Sequence, residues 1–133
     1  MKELAPPSGQ LPPQQVALRT GEVVELAGWA TRAAGRHLAA HPEELERYGV
    51  HAADWCAHDL QWLGMWAVMD ADGQAVDFPA QLDWLTCVLA AREYPLSSLA
   101  DALETLADET LQGLDDAAAA LRAGAERVRP PTR

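Results

Sequence analysis

Residues 50–70, VHAADWCAHDLQWLGMWAVMD, hold three of the chain's five tryptophans, one of its two cysteines and two of its four histidines. Set on a helix, Trp55, His58 with Asp59, Trp62, Trp66 and Met69 recur at a period near 3.6 and form one stripe. Cys56, Leu60, Leu63 and Ala67 form a second stripe beside it. A helix that is apolar round most of its girth has to be covered by other helices. The run therefore predicts a central helix from about Ala52 to Met69, with the remaining segments packed about it.

Those segments read as helices too. Alanine and leucine dominate a chain that is 49% hydrophobic, and β-branched residues are sparse, a balance that favours helix over sheet. A first helix is expected to begin between Gln14 and Glu22, with Thr20 capping an entry at Gly21, and to run to Ala40. Gly28 and Gly35 within it share a face on which small residues let another helix approach. HPEELERYG gives a short helix with Pro42 in its first turn and Gly49 at its end.

Residues 70–74, DADGQ, predict a turn. Asp77 caps a helix reaching Arg92 or Glu93, its apolar face carrying Leu82, Leu85, Val88, Leu89 and Trp84. Tyr94-Pro95 breaks it, because a residue before proline is driven out of the α region. Ser97 or Ser98 caps a last segment with Leu99, Leu103, Leu106, Leu114 and Leu121 inward, bent or divided at Gly113. Nothing reads as a strand longer than three residues. The expected architecture is all-α: a single compact bundle of five or six helices, residues 14–128, after a flexible Pro-rich lead-in at 1–13 and before a basic tail at 129–133.

With 20 acidic against 10 basic residues, the net charge of −10 argues against nucleic acid or a membrane surface as partner. Arg127, Arg129 and Arg133 are the exception, a small basic end on an acidic body. Asp101, Glu104, Asp108, Glu109, Asp115 and Asp116 give the last segment an acidic face, either solvated or a docking face for a basic partner. With no apolar run of signal-peptide or membrane-span type, the protein is expected in the cytoplasm. Cys56 and Cys87, each within an apolar helical pattern, are expected to be buried, reduced thiols.

No catalytic motif stands out, and the expectation is a non-enzymatic protein. The serines lie at 8, 97 and 98, away from the central run, and phosphate-binding glycine loops are absent. His58 and Asp59 project about 100° apart on a helix, so each is expected to find its partner elsewhere, Asp59 on Arg32 or Arg36. His37 and His41 have the i, i+4 spacing of a metal pair but no third ligand in sequence, so no metal site is expected. The tryptophans carry the remaining candidate site. Trp55, His58, Asp59, Trp62 and Trp66, with Trp84 and Trp29 facing them from flanking helices, would line a pocket for a flat or apolar ligand.

The runs YGVHAADWCAHDLQWLGMW and FPAQLDWLTCVLAAREYPLSSLADALETL resemble an all-helical module of bacterial sensory and regulatory proteins. That module precedes cobalamin-binding domains and is loosely similar to globin-like sensor domains that lack haem. The matching positions are Tyr48-Gly49, Cys56, Asp59, Trp62, Trp66, Leu82, Trp84-Leu85, and Arg92 with Tyr94-Pro95, followed by Leu99 and Leu103. The pattern has a histidine where this chain has Leu63, and a glycine in the turn where it has Glu93. No DxHxxG motif for holding cobalt is present.

The resemblance implies a helical sensor or regulatory domain that binds a protein partner, a second copy of itself or a small apolar ligand. Two alternatives stand beside it: a haem or other tetrapyrrole protein with His58 as axial ligand, and a small acidic inhibitor of the immunity-protein kind.

Overall fold

A computed structural model describes residues 11–130 of the chain, and the lead-in before Leu11 and Arg133 lie outside the described residues. A short antiparallel hairpin comes first, β1 (Gln15–Ala17) and β2 (Val23–Glu25), with Val16 opposite Val24. Six α-helices follow among the described residues: α1 (Leu26–Ala40), α2 (Pro42–Tyr48), α3 (Ala52–Ala71), α4 (Phe78–Ala91), α5 (Leu96–Asp108) and α6 (Asp115–Val128). A 3-10 turn at Gly49–His51 joins α2 to α3. The protein is an all-α bundle with a small β appendage, and no helix among the described residues is long and apolar enough to cross a membrane.

The hairpin replaces the first turns of the expected first helix. Val16 and Val24 each bury against the bundle while their neighbours in each strand are exposed, the two-residue alternation of a half-buried strand. Thr20 does not cap a helix; its hydroxyl accepts from the Glu22 amide inside the hairpin loop. The loop is tied to the far end of α3 by the Arg19 amide donating to Asp72 and the Gln74 side chain donating to the Ala17 carbonyl. Gln61, buried in mid-α3, donates to the carbonyl of Pro13. These polar anchors hold a two-stranded unit that would be marginal alone.

The element that organises the rest is α3, as the sequence implied, in contact with α1, α2, α4, α5 and α6. Its buried arc differs from the expected one. Leu60, Leu63, Gly64, Ala67 and Val68 face the core, whereas Trp55, Trp62 and Trp66 are only half-buried. Helices packed at the usual 8–10 Å leave room at the seam for small and aliphatic side chains, and an indole there would force the axes apart. Trp29 is the tryptophan that enters the core. Its ring lies against Gly64, and its indole N–H donates to the Leu106 carbonyl at 2.9 Å.

Gly28 and Gly35, expected to admit a neighbouring helix, instead lie on the exposed side of α1. Close approach falls to Gly64 against Trp29 and to Gly124 against Leu82 and Phe78. The segment after Pro95 divides into α5 and α6 at Gly113, whose φ of 91° suits glycine. Pro95, not a serine, stands at the N-cap of α5, and Ser98 is buried inside the first turn. Asp77 caps α4 through the Ala80 amide, as its sequence position implied.

Candidate functional site

A cavity of about 470 Å³ opens where α2, the first half of α3, the end of α4 and the start of α5 meet. Three aromatic rings, Tyr48, Trp55 and Tyr94, stand in its wall beside Cys56 and the aliphatic side chains of Leu60, Leu63, Leu89 and Leu99. Four charged residues also line it: Glu44, Asp59, Arg92 and Glu93. The backbone makes this space by turning sharply at both ends. Gly49 closes α2 at φ 78°, and the α4–α5 turn swings Tyr94 back over the opening.

The α4–α5 turn is a Schellman closure. The Tyr94 amide donates to the Leu89 carbonyl and the Glu93 amide to that of Ala90. Such a closure puts its penultimate residue in the left-handed region, and Glu93 occupies it at φ 60° without being glycine. The Arg47 guanidinium donates to the Glu93 carbonyl at 2.7 Å and holds the turn against α2.

Glu44 is the polar centre of the site, only 6% exposed. One carboxylate oxygen accepts the Tyr94 hydroxyl at 2.9 Å, and the other lies 2.7 Å from His37 Nε2. Burial above all, with Glu44 adding to it, pushes the Tyr94 phenol far above its ordinary range, so it stays a donor. His37 Nδ1 and the Tyr48 hydroxyl are both buried without a hydrogen-bond partner among the described residues. Burial also raises the Tyr48 phenol and lifts the Cys56 thiol to about 12, so Cys56 is a protonated thiol and no ready nucleophile.

His41 stacks on His37 with ring centroids 4.4 Å apart. Its Nδ1 lies 2.9 Å from Glu43 and its Nε2 3.1 Å from Asp101, so both nitrogens face carboxylates. Burial pulls the His41 pKa down, but the hydrogen bond and charge of Glu43, with Glu44 and Asp101 behind, outweigh it and the net shift is upward. The expected His37–His41 pair does not form a ligand set; His41 instead has two glutamates beside it, and donor atoms of His41, Glu43 and Glu44 lie within 4.8 Å of one another. All three are engaged by protein hydrogen bonds.

Of the residues singled out from sequence, Trp55 and Asp59 line the cavity, while His58, Trp62, Trp66 and Trp84 are not in its wall. Trp62 and Trp66 lie together at 6.0 Å along the flank of α3, and Trp84 points outward from α4 at 60% exposure. His58 and Asp59 do pair with each other, Nδ1 to Oδ1 at 3.1 Å, contrary to the expectation that they look elsewhere. The 100° between their Cβ directions is closed by side-chain rotation along the half-exposed flank. Arg32 and Arg36 pair instead with Glu109. Cys87, expected buried, is exposed on the outward side of α4.

Arginines of α6 and the residue that follows it pair with acids of α4 and α5. Arg127 forks onto Asp83, Arg129 reaches Asp101 and Glu104, and Arg122 pairs with Asp108. The residues that sequence reasoning missed at the site are Glu44, Tyr48 and Tyr94. Glu44 alone left a signal, since it falls seven residues after His37, but only the α1–α2 corner turns that interval into a contact. No protein-family model, curated protein or solved structure matches the chain.

Proposed function

We propose that this chain is a non-enzymatic helical sensor or regulatory domain that binds a small, largely apolar ligand in the cavity between α2, α3 and the α4–α5 turn. The observation that supports it is the cavity itself: about 470 Å³, within the range of small-molecule sites, walled by aromatic and aliphatic side chains with a few placed polar groups. Two of its walls, the seven-residue α2 ending at Gly49 and the α4–α5 turn, are short pieces tied to each other by Arg47 on the Glu93 carbonyl. Occupancy that shifts this joined pair would alter the outer surface of the bundle, and a domain without catalytic groups could report a ligand in that way.

Thermal unfolding with a panel of soluble aromatic and aliphatic fragments tests this reading. Binding to the native state alone raises Tm, by about 2.7 kcal/mol of stability at a ligand concentration of 100 Kd. Ala102→Phe, which puts a ring into the cavity from α5, and Trp55→Ala, which removes a half-exposed wall, should each abolish the shift while the far-ultraviolet spectrum stays helical. Fragments that stabilise both variants as well as the parent would place the ligand elsewhere.

A second reading, docking of a protein partner or second copy on α4, is favoured by the exposed Trp84 indole. Sedimentation of the parent and Trp84→Ala distinguishes a self-association through this residue from a monomer.

A further inference from the structure

We infer that the ligand of this cavity is an organic cation, an ammonium group carried on an apolar body. The inference rests on the ligand-binding reading above and adds the charge and chemical class of the occupant. Three aromatic rings come first: Tyr48, Trp55 and Tyr94 are all in the wall, and the negative face of an aromatic ring attracts a cation. Two of the three already carry one. The Arg92 guanidinium carbon sits 5.9 Å from the Trp55 ring centroid, and that of Arg47 sits 5.2 Å from the Tyr48 centroid.

Charge points the same way. Glu44, Asp59 and Glu93 stand against Arg92 in the lining, in a chain whose net charge is −10. Among the described residues Glu44 and Asp59 form ion pairs only with histidines, His37 and His58, and with no arginine or lysine. The attraction of a carboxylate in the wall for a cation is strongest where water is excluded. An anion would meet three carboxylates. A neutral ligand would leave the acidic surplus of the lining unanswered.

Calorimetric titration of the full chain with three probes of one shape decides the matter: 1-naphthylmethylammonium, 1-naphthalenemethanol and 1-naphthylacetate. The expected order is the ammonium at least tenfold tighter than the alcohol, and the acetate weakest. Asp59→Asn and Glu44→Gln should each weaken the ammonium at least threefold and leave the alcohol unchanged. Arg92→Ala should strengthen the ammonium, because the resident cation on Trp55 is gone, an effect that loss of packing does not produce. Alcohol binding as tight as the ammonium overturns the inference and leaves the apolar-ligand reading standing. Acetate binding tightest overturns it in favour of an Arg92-anchored anion. Failure of all three probes, together with no thermal shift from the fragment panel, removes both readings. If Glu44→Gln does not fold, the probe order on the parent and the Asp59 and Arg92 variants still decide.

Discussion

Glu93 holds a backbone conformation for which its residue type is poorly suited. At φ 60° it closes α4 where glycine is the unstrained choice, and its carbonyl is drawn to Arg47. A non-glycine residue in the left-handed region costs about 1–2 kcal/mol, partly offset by the smaller entropy of its unfolded chain. Glu93→Gly should therefore raise stability by about 0.5–1 kcal/mol in chemical denaturation, with the α4–α5 turn unchanged. A loss of stability would mean that the Glu93 side chain contributes more than its backbone costs. In sequence the position stood out as an acid before Tyr-Pro where the resembled pattern has a glycine; the sign of φ is set by the closure at the end of α4.

At the scale of the element, glycine spacing within one helix says little about which face touches a neighbour. Gly28 and Gly35 stand seven apart on α1 and look outward; a Cβ on Gly35 meets nothing within 4 Å. A Cβ on Gly64 would come 3.1 Å from the Trp29 ring, and that ring is pinned by its bond to Leu106. Gly35→Ala is thus expected to stabilise the protein by up to about 1 kcal/mol, the helix-propensity difference. Gly64→Ala should destabilise it by about 1–3 kcal/mol, the cost of overpacking a close contact. Paired urea unfolding curves check both, and an equal effect of the two would show that the α1–α3 seam is looser than the contact implies. The same reasoning accounts for the tryptophans: their periodicity identified the helix, while the seam selected its small-residue stripe as the buried one.

Across the whole molecule, the acidic surplus is managed by bridges between elements. His41 joins the α1–α2 corner to α5 through Asp101 and to its own helix through Glu43. Its pKa is raised above 6.5, so its contribution to stability is fully present below that value and disappears as pH rises through the raised one. Glu43 is lowered below 4.5, first by its own backbone hydrogen bond and then by His41, so its contribution is lost as pH falls through that lowered value. The Tm difference between the parent and His41→Ala should accordingly be larger at pH 6 than at pH 9. A difference independent of pH would show that His41 acts through packing on His37 alone.

The sequence by itself determined the helical class, the central place of α3, a turn after it, which begins at Asp72 because Asp70 and Ala71 stay helical, the Asp77 cap and the break at Tyr94-Pro95. Each of these follows from local periodicity or from a backbone preference that acts within a few residues. Only the tertiary structure decided which arc of α3 is buried, that residues 15–25 pair as a hairpin, and that Glu44, Tyr48 and Tyr94 stand together at a cavity. Those outcomes depend on how closely helix axes approach and on contacts between residues as far apart as Glu44 and Tyr94. Such contacts form only when the chain folds back on itself, and no local pattern records them.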